Sequence, residues 1–242
     1  MSLTLAELAI HIPGSIDLFE KYEFDYYQNG KQTLEDACKK KDLNFSKINV
    51  ELNFLQNHSN HHINMNEMGI ERLMDFINVK YHSKEKDVLS NIHANIKQVL
   101  EEKNSDQPFI HFIENIEEIF RDLMDSFIKH CNKEDRILFP YIKKLIELST
   151  GKTKLAQHQI SLLKNPIQIL ESEHQKAVEI MLDLAKWTDH LDVQKNASVS
   201  YRLLIKNLKE FEKDFHMHLH IENNILFPKC IALEDELKKR IE

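Results

Sequence analysis

The sequence predicts an all-α protein: an antiparallel four-helix bundle preceded by a small helical N-terminal domain. Three observations carry this. The 242 residues include only 4 Gly and 5 Pro, too few breakers for a sandwich or barrel, which turns roughly every ten residues. Apolar residues recur at helical spacing through four long stretches. Cap and breaker residues sit where those stretches should begin and end.

The elements follow in order. Residues 1–57 read as short helices: Thr4 is placed to cap LAELA, Ser15 to cap IDLFEKY after Pro13-Gly14, Thr33 to cap LEDACKKK, and Ser46 to cap KINVELNFLQ. Asn29-Gly30 marks a turn. Residues 58–66 have no periodicity and read as a linker, which leaves residues 67–242 for the bundle. Its first helix is expected over about 67–103, with Ile70, Leu73, Met74, Ile77 and Tyr81 on one stripe. The second starts near Pro108 and ends near Leu148, before the Gly151 break. The third begins at Asn165-Pro166 as cap and first turn and ends near Leu191; the fourth runs from about Ser198 to the C-terminus. Pro140 and Pro228 should kink the second and fourth, or restart a shorter helix.

Composition narrows the partners. A net charge of -7 gives no electrostatic reason to expect nucleic acid or an anionic membrane. No run approaches the roughly 18 apolar residues of a membrane span, and MSLTLAELAI lacks the basic stretch and long apolar core of a secretory signal. Cys38, Cys131 and Cys230 lie far apart and imply no disulfide framework. A reducing cytoplasm is the expected location. The 14 histidines are the compositional anomaly.

Most of the chemistry sits in an internal repeat. His130-Cys-Asn-Lys-Glu134 leads into Ile-Leu-Phe-Pro140, and His218-Leu-His-Ile-Glu222 leads into Ile-Leu-Phe-Pro228. Both read H-x-x-x-E-x-x-I-L-F-P. Single histidines, His82 and His174, stand on the preceding helices, so the bundle reads as two hairpins that each bring His plus H-x-x-x-E. Positions i and i+4 share a helix face about 6 Å apart. Leu123, Phe127, His130, Glu134, Ile137 and Tyr141 align on the second helix. Ile167, Leu170, His174, Ala177 and Met181 align on the third, and Leu208, Phe211, Phe215, His218, Glu222 and Ile225 on the fourth. His82 aligns with Val79, Leu89 and Ile96, beside the main stripe of its helix.

Polar groups on a core stripe cost several kcal/mol unless they are paired or liganded. Four imidazoles and two carboxylates converging between four helices meet that need with metal. Two Glu suit bridging of two ions, with two His terminal on each. Mixed imidazole and carboxylate ligation points to iron, manganese or zinc, and a carboxylate-bridged pair in a bundle favours two non-haem iron ions or manganese. Against this stands a purely structural His/Glu network, which a single H-x-x-x-E would favour and a repeated one on core faces does not.

These segments resemble a known family. KYH around His82, HCNKE and LFP around His130, ESEH ending at His174 and HLHIENNILFP around His218 resemble the hemerythrin-like domain. With LAELAIHIPGSIDLFEKYEFDY and NGKQTLEDAC at the front, nearly the whole chain resembles the repair-of-iron-centres family of di-iron proteins. The resemblance implies iron ligands at His82, His130, Glu134, His174, His218 and Glu222, with Glu134 and Glu222 bridging. It implies a role for Glu173 on a route to the metals. Oxygen-carrying hemerythrins have H-x-x-x-H on the third helix, whereas Val178 stands four residues after His174 here. The family's Cys-Cys pair before Gly-Lys-Gln is replaced by Tyr27 and Gln28, and its Glu one turn before the second-helix His by Ser126.

The resemblance implies repair of iron-sulfur or other iron centres after nitrosative or oxidative damage, with iron as labile donor or redox centre. Damaged or apo iron-sulfur proteins would be the partners, and a diatomic gas, nitric oxide or oxygen, a ligand. Nitric oxide reduction at the di-iron site and iron or gas sensing are the competing readings. Because all six expected ligands follow the linker, a chain starting near Asn64 is expected to keep its iron.

Overall fold

The structure is a computed structural model that describes residues 3–58, 65–102, 107–152, 163–188, 190–193 and 197–241. Most of the expected linker lies outside the described residues. The chain is all-α as predicted, with one isolated antiparallel bridge among the described residues, Thr4 to Thr33. Its residues group into two units, residues 1–73 with 216–230, and residues 74–215 with 231–242.

The first unit holds α1 (Leu5–His11), α2 (Ser15–Lys21), α3 (Leu34–Lys40) and α4 (Phe45–His58). Two expected caps are present. Thr4 forms a capping box with Glu7, and the Thr33 side chain accepts from the Asp36 amide. The other two differ. Gly14, at φ 79°, is the N-cap of α2, and Ser15 inside the helix donates its hydroxyl to Leu8 O at 3.1 Å. Asn44, not Ser46, caps α4 by accepting from the Lys47 amide at 3.0 Å. Leu5, Leu8, Phe19, Phe24, Tyr26, Leu34, Ile48 and Leu52 are buried in this unit.

The bundle helices begin with α5 (Ile70–Ile77), which passes through a π-helical turn, π1 (Asn78–His82), into α6 (Ser83–Leu100). Then α7 (Gln107–Lys133) passes through π2 (Glu134–Leu138) into α8 (Phe139–Ser149). After α9 (Lys164–Trp187) comes α10 (Val199–Ile221), which passes through π3 (Glu222–Leu226) into α11 (Phe227–Ile241). In the second unit α7 packs against α6 and α9. Ile113, Ile116, Phe120, Leu123 and Phe127 form the buried stripe of α7, and Leu204, Leu208, Phe211 and Phe215 that of α10. Each such burial contributes about 1.5–3 kcal/mol.

α9 departs from its expected ends. It starts at Lys164, so Asn165 lies inside the first turn, and the Leu163 amide donates to the Glu234 carboxylate at 2.8 Å. The helix stops at Trp187, and His190 and Leu191 adopt φ of 55° and 58°.

The π turns were not anticipated, and they change which residues face inward. A π turn takes one more residue than an α turn, so the inward stripe steps forward by one position. From the last residue of π2 onward the buried residues are Leu138, Phe139, Ile142 and Leu145, while Ile137, expected on the stripe, is 68% exposed. In π1 the step works the other way for function: Val79 is 65% exposed, and both Tyr81 and His82 are buried. The odd alignment of His82 in the sequence is thus resolved by a widened turn. Pro140 and Pro228 each follow a π turn as the second residue of a restarted helix. There the ring of Pro140 or Pro228 needs no amide partner.

Candidate metal centre

The three π turns among the described residues each end or begin on an expected ligand. π1 ends at His82, π2 begins at Glu134, and π3 begins at Glu222. In π2 and π3 the carbonyl of that Glu accepts from an amide five residues on, Phe139 and Phe227 respectively.

The second unit brings together His82, His130, Glu134 and His174, all buried. The Nε2 atoms of His82 and His130 stand 3.2 Å and 3.3 Å from the same oxygen, Glu134 Oε2. The Nε2 atoms of His130 and His174 are 2.8 Å apart. His130, Glu134 and His174 each offer a donor atom within 4.8 Å of the others. Imidazole edges turned on one carboxylate form a donor set that fits a first-row transition metal. The first unit holds the other two, His218 and Glu222, whose Nε2 and Oε1 are 3.0 Å apart, both buried.

Behind two of the imidazoles stand carboxylates. Asp135 Oδ1 lies 2.7 Å from His82 Nδ1 and accepts from the Asn78 amide group at 2.8 Å. Glu173 Oε2 lies 3.1 Å from His130 Nδ1, and its other oxygen pairs with Lys133. Each arrangement lets Nδ1 carry the proton and puts the lone pair on Nε2, the ligating atom. Burial works to raise the Asp135 carboxyl, but the bond and charge of His82, the Asn78 bond and the Lys86 charge together outweigh it and hold the carboxyl below the usual range. Glu173 behaves alike: burial opposes, Lys133 and His130 prevail. The His82 ring lies parallel to Phe139, with centroids 5.7 Å apart, which further limits its rotation.

Asp135 and Asn78 were missed by sequence reasoning. On a regular helix Asp135 sits about 100° from Glu134, so one site would not claim both. The available signal was Asn78-x-x-x-His82, two polar residues one turn apart. His216 and His220 point away from His218. His216 Nδ1 is 3.0 Å from Glu20, and His220, whose pKa burial lowers to about 4, lies against the Tyr26 ring.

An all-α chain with this histidine and carboxylate cluster defines a class, the helical proteins with a hemerythrin-type cation site. Residues 163–242 match the hemerythrin HHE cation binding domain, and residues 2–56 match ScdA_N, a domain of unknown function (DUF542). The chain is 30% identical over 230 residues to the iron-sulfur cluster repair protein YtfE of Escherichia coli O81 (strain ED1a), covering 95% of this chain and 97% of that protein. It is 27% identical over 225 residues to the iron-sulfur cluster repair protein ScdA of Staphylococcus haemolyticus (strain JCSC1435), covering 93% and 96%. The YtfE of Enterobacter sp. (strain 638) is 29% identical over 230 residues. This chain belongs to the iron-sulfur cluster repair protein family. No helix among the described residues is long and apolar enough to cross a membrane.

Proposed function

We propose that this chain holds two iron ions and acts in the repair of iron-sulfur or other iron centres damaged by nitrosative or oxidative stress. The carrying observation is the convergence of the His82 and His130 Nε2 atoms on Glu134 while carboxylates occupy their Nδ1 sides. In this reading His82, His130, Glu134, His174, His218 and Glu222 are the ligands, two His to each ion, with Glu134 and Glu222 shared. Within the second unit Phe127, three residues before His130, packs edge-on against Phe215. The relatives' name, iron-sulfur cluster repair protein, supports the role.

A carboxylate-bridged iron pair would supply one-electron redox change and a store of exchangeable iron. The protein's own part is to hold and release. His82 and His130 are oriented by Asp135 and Glu173, while Phe127, Phe139, Phe211 and Phe215 wall the bundle against water. Damaged or apo iron-sulfur proteins are the proposed clients.

The test is iron content joined to a repair assay. Purified chain should carry about two iron ions, and His130→Ala and His218→Ala should each hold about one or fewer, as removal of a His from a four-donor site predicts. The native chain should restore cluster absorbance to an iron-sulfur protein bleached by nitric oxide. Full iron retention in both variants would sink the ligand assignment. Iron binding with nitric oxide turnover but no restoration would replace repair by reduction.

A further inference from the structure

In the first unit the helix that carries His218 and Glu222 presents two faces. One bears that pair; the other bears His216, His220, Asn223 and Asn224, and meets the turn at Tyr26–Gly30. Asn223 Nδ2 donates to Tyr27 O at 3.1 Å, and Asn224 Nδ2 to Tyr26 O at 3.2 Å. The Tyr27 ring stacks on His216, with centroids 3.9 Å apart and planes 10° apart. Glu20 accepts from the Tyr26 hydroxyl at 2.8 Å and faces His216 Nδ1 at 3.0 Å. The fit leaves no room for a side chain at residue 30. A Cβ there would lie 2.7 Å from Asn224 Oδ1 and 2.7 Å from Tyr26 O.

Asn223 and Asn224 are the second and third residues of π3, immediately after Glu222. A π turn is wider than an α turn and fixes the direction of its side chains less firmly by its own hydrogen bonds. In the other repeat the residue after the Glu is Asp135, which stays with His82. Here that position, Asn223, reaches to the backbone of the N-terminal segment instead. We propose that the Tyr26–Gly30 turn is a clamp that positions Glu222 and His218 for metal binding, so that the N-terminal segment is part of the holding device. The inference rests on the reading of Glu222 and His218 as ligands. It replaces the expectation that residues before Asn64 are dispensable for iron.

The test uses the full chain, with two variants that leave every ligand in place. Asn223→Ala with Asn224→Ala removes the donors; Gly30→Ala pushes Asn224 away from the opposite side. Iron loss to a competing chelator, the iron charge-transfer spectrum and amide hydrogen exchange over residues 216–230 are measured beside the helical circular dichroism. Both variants should keep native helicity, lose iron at least about tenfold faster than the native chain, and exchange faster at 222–226. Iron loss at the native rate in variants whose 222–226 amides exchange faster would overturn the clamp. So would unchanged exchange in both. If one variant fails to fold, the other decides. A native chain that holds no iron would instead refute the ligand reading, and exchange alone would then judge whether the turn restrains the helix.

Discussion

At the scale of the residue, the two carboxylates behind the imidazoles decide how firmly a metal is held. Asp135 receives both the His82 ring and the Asn78 amide, so it has no freedom to leave when His82 ligates. Replacing it with Ala frees the His82 ring to rotate or to carry its proton on Nε2, where no metal can bind. Loss of such an orienting partner typically weakens metal affinity about 10–100-fold. Chelator competition should show that loss for Asp135→Ala and partial recovery for Asp135→Asn, which still accepts from Nδ1. Equal affinity in all three would mean that the His82 ring is set by Phe139 stacking alone.

At the scale of the element, the π turn is the device that joins a ligand to a continuous buried stripe. π2 carries one residue more than an α turn, and Ile137 is the exposed apolar member of that turn. Deleting Ile137 together with Pro140→Ala should give a regular α-helix, in which Leu138, Phe139 and Ile142 keep their buried faces. The proline must go with the deletion, because its ring inside a regular helix costs about 3 kcal/mol. Expected is a folded protein with native helicity that binds no more than about half the native iron, since Glu134 is re-aimed. Native iron content in the deleted chain would show that the wide turn is not needed. Proline alone does not create these turns, for π1 is followed by Ser83.

At the scale of the whole molecule, the thiol chemistry expected of a family Cys-Cys pair has no carrier. Cys38, Cys131 and Cys230 are all buried. Burial raises the Cys38 thiol, and it pushes Cys230 up to about 12. At pH 8 a thiol of that kind is about one part in 10⁴ thiolate. The folded chain should therefore resist maleimide at pH 8, and all three cysteines should react once it is unfolded in guanidinium. Tyr27 and Gln28 occupy the pair's positions, and the clamp bonds at Tyr27 go to its backbone carbonyl. Cys at both positions would thus add a dithiol without removing those bonds. Iron transfer to an apo iron-sulfur protein should be slower from the native chain than from this double variant. Equal rates would show that delivery needs no thiol pair.

Much of this was legible in the sequence because helices and ligand pairs obey short-range rules. The repeat H-x-x-x-E-x-x-I-L-F-P, the caps at Thr4 and Thr33, and the apolar stripes of α7, α9 and α10 all depend on residues three or four apart. What tertiary structure decided depends on residues far apart or on a change of helical period. Glu234 sets the start of α9 from 71 residues away. The π turns moved Ile137 outward and His82 inward. Asp135 became the partner of His82, and Asn223, its counterpart in the repeat, the partner of Tyr27. Local pattern determines which residues can face inward, whereas the direction of an individual side chain follows from what the packed neighbours leave for it to bond.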